Sequence, residues 1–319
     1  MSVAFSGVVT PLITPFLSSS EPDPGSGSEI DTFRLAALVR WQARSGVSAV
    51  ILGSPIGEGP TLTRDERVAL VKAAGPVKGR MQVLAHIGTP DTARAVEMAR
   101  DARGAGADGL VLATPPYNKP TARGILAHIA AVADAAAGLP ILVEFDEART
   151  KTHLTVCEMA EMIRVAGVAG LVDHSPNPLH LECLSRARPD TCFLAGHEPA
   201  MAACGLMGAH GVSSAAANVA PHLVVALWQA VADGDGAGAR RLQERLTPLF
   251  QLVEAEGVPA LKDLAQDALG CETTVRLPLH ALCRSARQAA ARIAVDLETI
   301  GCPPPSRMVR HAPVWERAS

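Results

Sequence analysis

The chain has few of two residue types on which much enzyme chemistry depends. Of its 319 residues one is tyrosine, Tyr117, and five are lysine: Lys72, Lys78, Lys119, Lys151 and Lys262. Arginine supplies the other 24 of the 29 basic side chains. A mechanism that needs a buried primary amine or a phenolic proton relay therefore has few candidates, and each is checked by position. No long basic run occurs and the net charge is −3, so the electrostatic footprint of a nucleic-acid-binding protein is missing. No apolar stretch reaches the roughly 18–20 residues of a membrane-spanning helix. The first segment, MSVAFSGVVTPLITPF, has no basic start and is not expected to be a signal peptide. The seven cysteines include no CxxC pair. Such a set is expected to be reduced thiols in a cytoplasmic protein, each acting as a small buried apolar side chain.

What is present is a globular composition, with 48% hydrophobic and 19% charged residues. Disorder, collagen and coiled coil are excluded as descriptions of the whole chain. Short apolar runs alternate with helical stretches. The runs are Gly7–Ile13, Ala49–Leu52, Met81–His86, Gly109–Ala113, Pro140–Phe145, Ala169–Asp173, Cys192–Ala195 and Gly211–Ser214. Each is rich in Val, Leu or Ile without polar alternation, as in parallel strands covered on both faces. Thr63 with Glu66 and Thr155 with Glu158 have capping-box spacing. Pro178 and Pro199 stand where a first-turn proline would. A helix from Asp91 to Arg103 is expected to end at Gly104. Eight strand–helix units predict an α/β fold, a (β/α)8 TIM barrel over residues 1–222. A doubly wound open sheet is the alternative, but no glycine fingerprint follows the first run. Beyond Ala220 only helices are expected, at His222–Ala232, Ala237–Glu254, Pro259–Leu269 and Ser285–Glu298. They would form a C-terminal helical region over 223–300, followed by a Pro/Arg-rich extended tail over 301–319. Leu17–Ser28 is expected to be a polar loop.

Several segments together resemble the dihydrodipicolinate synthase / N-acetylneuraminate lyase family. They are TPLITPF (10–16), GEGPTLTRDER (57–67), GADGLVLATPPYNKP (105–120), LPILV with ART (139–150), GAHGVSSAAANVAP (208–221) and VRLPL (275–279). The resemblance runs from Gly7 to about Ala289. It implies a lysine at the end of strand six that forms a Schiff base with a 2-oxo acid, commonly pyruvate. It also implies a tyrosine relay on strand five, hydroxyls after strand two that hold the carboxylate, an arginine after strand five, and a tyrosine lent to a neighbouring subunit. Carried over by position, the lysine is replaced by Val172 and the relay tyrosine by Glu144. The arginine is kept as Arg149 and the interface tyrosine as Tyr117. The hydroxyl loop reads Gly53-Ser54-Pro55-Ile56-Gly57-Glu58; its first threonine position falls on Ser54 or Pro55 and its second on Ile56.

Valine has no amine, so the covalent mechanism loses its nucleophile. Lys72 and Lys262 are expected on helices and Lys78 at the stability face of the barrel, while Lys119 and Lys151 follow strands four and five. The strand ends carry ionisable groups instead: His86, Glu144, Asp146, Asp173, His174, His197 and Glu198, with Glu58 after strand two. Glu144, His174, His197 and Tyr117 are the catalytic candidates. Arg149, Ser54, His86, Asp173 and Ser213 are the substrate-binding candidates, Arg149 because its planar guanidinium clamps carboxylates. The competing structural reading pairs Glu144 with Arg149 and assigns Glu58, Asp173 and the histidines to satisfied hydrogen bonds.

Held among apolar walls, Glu144 is expected to have a raised pKa suited to acid/base work. The expected function is a lyase- or aldolase-type step on a small 2-oxo or hydroxy carboxylic acid without a lysine Schiff base, in a cytoplasmic homotetramer or homodimer that uses no cofactor. One alternative is a catalytically inactive member that binds or regulates. Another is a metal-assisted aldolase, which no HxH or HxxxH spacing supports. Neither nucleic acid nor membrane is expected as a partner.

Overall fold

The computed structural model describes residues 5–17, 28–269 and 274–299. The 301–319 tail and most of the expected 17–28 loop fall outside them. Strands β1 (Gly7–Pro11), β2 (Ala49–Leu52), β3 (Gln82–His86), β4 (Gly109–Ala113), β5 (Ile141–Phe145), β6 (Val168–Asp173), β7 (Cys192–Ala195) and β8 (Gly211–Ser213) form a closed barrel in sequence order. Every neighbouring pair is parallel, β8 with β1 included. Helices connect them: α1 (Thr32–Arg44), α2 (Arg64–Ala74), α3 (Thr92–Ala105), α4 (Ala122–Ala136), α5 (Glu147–Thr150), α6 (Val156–Met162), α7 (Leu179–Ala187) and α8 (Met201–Leu206). After β8 come α9 (Pro221–Ala232), α10 (Gly236–Glu256), α11 (Val258–Leu269) and α12 (Arg284–Thr299). This is the (β/α)8 barrel that the run spacing predicts, with helices beyond it. Helix α9 crosses the expected 222/223 boundary and packs against β1 and α8, as the helix that completes the eighth unit.

Local chemistry explains the element ends. Both capping boxes form: Thr63 and Glu66 exchange hydrogen bonds at the start of α2, and Thr155 and Glu158 do so at the start of α6. Helix α3 passes through Gly104 and stops at Gly106, which has φ +90°. A left-handed residue is what turns the chain out of a helix, and only the second glycine takes that conformation. Cys192 and Cys204 are buried, as expected of apolar thiols, but Cys157, Cys183 and Cys283 are exposed. None of the helices among the described residues is long and apolar enough to cross a membrane.

Two cores follow from strand alternation. Phe5, Val9, Ile51, Leu84, Leu142 and Val172 belong to one apolar cluster, which fills the barrel interior. The residues between them, such as Val143 and Leu171, join the larger cluster under the helices.

The C-terminal helices are fastened to the loop after β2 by buried charge. Glu58 sits at φ +55° with its side chain buried. It accepts the backbone N–H of Arg276 at 2.7 Å and pairs with the Lys262 ammonium. The Arg276 guanidinium donates to the carbonyls of Ser28 and Thr61 and pairs with Glu66. Both cations lie over the Phe16 ring, 4.1 Å and 4.3 Å from its centroid.

Candidate active site

Strand alternation sets the floor of the barrel mouth. Leu84, Leu142 and Val172 point inward, so His86, Glu144 and His174, each two residues further on, face the axis above them. These three side chains meet. His86 Nε2 lies 3.1 Å from Glu144 Oε2, and His174 Nε2 lies 3.1 Å from Glu144 Oε1. Glu144 is 12% exposed. An ionised carboxylate only accepts, so each Nε2 carries the proton it donates. This leaves His174 Nδ1, which makes no hydrogen bond among the described residues, as the free nitrogen of the ring. Two glycines make room for the imidazoles. A Cβ on Gly196 would lie 2.6 Å from the His174 ring, and one on Gly88 would lie 2.8 Å from His86 Cε1.

The raised pKa expected of Glu144 is not found. Burial does push its carboxyl up, but the hydrogen bonds and charges of His174 and His86 outweigh burial and hold it well below the usual carboxylate range. Burial likewise pushes His174 down, and the Glu144 carboxylate overcomes this and raises it above the ordinary histidine value. Burial does raise the carboxyls of Asp173 and Glu198. Glu198 lies at the cavity. It is held by the Ser214 hydroxyl and by the Ala216 N–H at 3.0 Å.

Glu144, His174, His197, Arg149, Ser54 and Ser213 line one cavity of about 370 Å³ at the C-terminal ends of the strands. Arg149 does not pair with Glu144. Its Nε lies 3.1 Å from Asp146 Oδ2, and the side chain is 58% exposed, so much of the guanidinium faces open space. His86 stands behind Glu144 and reaches the cavity only through it. Asp173 departs from its expected place as a substrate ligand. It follows the inward Val172, so it turns out of the barrel, where it accepts the Ser175 N–H and lies 3.6 Å from His180 on α7. Tyr117 is not in this chain's cavity either; it is 82% exposed, at φ +69° on the loop after β4.

The cavity has a wall that local sequence patterns do not mark. Phe250, Val253 and Glu254 of α10 line it, and that helix reads in sequence as part of a helical region packed on the barrel, with no sign that it reaches the mouth. None of the five lysines lines it. Lys262 is committed to Glu58 and Lys78 to Asp108, while Lys72, Lys119 and Lys151 are exposed. Val172 is fully buried and is the register partner of Glu144 across the β5–β6 ladder. Among the described residues no group of three His, Cys, Asp or Glu side chains is placed to hold a metal ion. In the His86–Glu144–His174 group both Nε2 atoms are spent on the carboxylate.

Comparisons with known proteins agree with this architecture. The Dihydrodipicolinate synthetase family profile matches residues 4–296. The 4-hydroxy-tetrahydrodipicolinate synthase of Rhodopseudomonas palustris strain BisA53 is 35% identical over 282 residues, covering 86% of this chain and 91% of that protein. The enzyme of that name from Methylobacterium radiotolerans is 36% identical over 276 residues, covering 86% and 89%. The crystal structure of dihydrodipicolinate synthase from Aquifex aeolicus superposes with a TM-score of 0.85 at 29% identity, over 94% of this chain and 99% of that one. A barrel of this topology, matched by the profile over nearly its whole length, places the chain in the dihydrodipicolinate synthetase family.

Proposed function

We propose that this family member catalyses a lyase- or aldolase-type step on a small 2-oxo or hydroxy carboxylic acid without forming a lysine Schiff base. The observation that carries the reading is the His86–Glu144–His174 bridge on the floor of a cavity that no lysine reaches. Glu144 is the positioning group, a departure from the acid/base role that its place in the sequence suggests. It stays ionised, fixes both rings and supports positive charge on them. His174 is the acid/base. Its Nδ1 lone pair takes a proton from the carbon beside the substrate carbonyl, leaving an enolate, and the imidazolium that results is stabilised by Glu144. The same nitrogen returns the proton when the new or broken carbon–carbon bond is resolved. Arg149 binds the carboxylate by two-point hydrogen bonding. Ser54, Ser213 and His197 complete the polar lining.

Relatives support the substrate class and assembly. A dihydrodipicolinate synthase structure from Acinetobacter baumannii is described as complexed with pyruvate, and another structure is described as the first monomeric variant of that enzyme. We infer a small 2-oxo acid as substrate and a homo-oligomer in which the exposed Tyr117 meets a neighbouring copy.

The test needs no knowledge of the second substrate. Pyruvate in D2O should exchange its methyl protons when the protein is added, as followed by proton NMR. Borohydride added to the same mixture should leave the intact mass unchanged. A borohydride-stable pyruvate adduct on any lysine overturns the non-covalent reading. Pyruvate that binds without exchange transfers the chain to the alternative of a binding or regulatory protein.

A further inference from the structure

The cavity is two-sided, and the closed strand order fixes which residues oppose each other. In an eight-stranded ring β5 stands across the axis from β1, and β6 from β2. Glu144, Arg149 and His174 come from the β5 and β6 ends, with His197 beside them after β7. Opposite β5 and β6 stand Pro11 at the end of β1 and Pro55 and Ile56 after β2, while Ala215 after β8 lies between His197 and Pro11. Helix α10 adds Phe250 and Val253, both buried in the fold, and carries the exposed Glu254 carboxylate at the rim of the same wall. Ser54 and Ser213 are the hydroxyls on this side, and Ser54 is turned toward the Gly57 N–H at 3.4 Å.

Size points the same way as polarity. On the measure by which one water needs about 10–15 Å³, the cavity offers about 370 Å³, more than a three-carbon acid fills. Space left over beside an apolar wall is filled favourably by hydrocarbon and unfavourably by ordered water.

We infer that the substrate site accepts a carboxylic acid whose carboxylate and carbonyl lie on the β5–β6 side and whose apolar substituent, a chain or ring of roughly four to six carbons, fills the side lined by Pro11, Ile56, Ala215 and Phe250. This rests on the function proposed above for its polar half, but not on the proton-transfer chemistry. Residue 56 then acts in specificity: Ile56 presents hydrocarbon where a hydroxyl would ask for a polar group.

Binding tests it without catalysis. Acetate, butanoate and hexanoate are titrated into the full-length protein by calorimetry, with one site per chain. Affinity should rise about threefold to fourfold for each added methylene. Phe250→Ser and the milder Ile56→Thr should flatten that rise, while Arg149→Met should weaken all three acids together. Equal affinity across the series, no binding of any acid, or a slope untouched in a folded Ile56→Thr protein overturns the inference. Chain-length-dependent binding without proton exchange on any 2-oxo acid leaves this inference standing and removes the catalytic reading. Exchange with flat binding does the reverse.

Discussion

Two glutamates in this barrel are largely withdrawn from water, Glu58 fully and Glu144 all but 12%, and are used in different ways. Glu58 lies between the loop after β2 and the C-terminal helices and is matched by the Lys262 ammonium and by the Arg276 backbone N–H, groups of kinds that ordinarily keep their protons near neutral pH. Glu144 lies on the floor of the mouth and is matched by two imidazoles, the side-chain type whose charge ordinarily changes near neutral pH. Permanent partners make a carboxylate a fastening. Titratable partners make it part of a proton path. The side chain is the same in both places; the partners differ, and Glu144 keeps a little exposure to the cavity where Glu58 has none.

The comparison breaks most sharply in two substitutions. Glu144→Gln keeps the shape but removes the charge that holds His174 in its tautomer, and should slow proton exchange by about a hundredfold to ten-thousandfold. Exchange is read by NMR and folding by circular dichroism. Unchanged exchange would move Glu144 into the same class as Glu58. Lys262→Met leaves the Glu58 carboxylate buried without its partner and should lower unfolding stability by about 3–5 kcal/mol, measured by denaturant titration. The fraction that remains folded should retain its exchange rate.

A smaller effect concerns pH. Folding raises the His174 pKa, so its contribution to stability is complete below the unfolded histidine value of 6.5 and is lost as pH climbs through the folded value. Folding lowers the Glu144 pKa, so that contribution is complete above the unfolded value of 4.5 and is lost as pH falls. The pair therefore stabilises most between these two values, and the denaturant midpoint should decline above pH 6.5 more steeply in the wild type than in Glu144→Gln. Exchange should rise as His174 loses its proton, with a midpoint above 6.5 that moves to lower pH in Glu144→Gln. The smallest effect is expected where neither kind of burial operates. Arg240→Ala removes the exposed pair with Glu244, 2.9 Å apart on α10. It should leave the denaturant midpoint unchanged within error, since an exposed pair is screened by water and salt.

The strands were legible because a parallel barrel writes them as uninterrupted apolar runs. Ala49–Leu52, Gly109–Ala113 and Cys192–Ala195 coincide with β2, β4 and β7. The strand ends then placed Glu144, His174 and Arg149 at one mouth. Partners were not legible in the same way. The local choice for Glu144 was Arg149, five residues along, whereas its actual partners are 58 and 30 residues away. Asp173 could have been placed correctly, because one step of alternation from an inward Val172 turns it outward. The α10 wall had no sequence signal, since what brings Phe250 to the mouth is the buried joint at Glu58 and the packing of α10 on its neighbours, including α9.

Gly196 has a consequence for how this site could arise or be lost. The His174 ring occupies the volume into which any side chain at position 196 would grow. The two positions therefore share one space, and their substitutions are not independent. An alanine at 196 clashes while the imidazole is in place and is freed of that clash once it has gone. A lineage that dropped the histidine and then filled the glycine would be barred from returning by a single step. The order of mutation, as well as their number, sets which descendants of this barrel can recover the site.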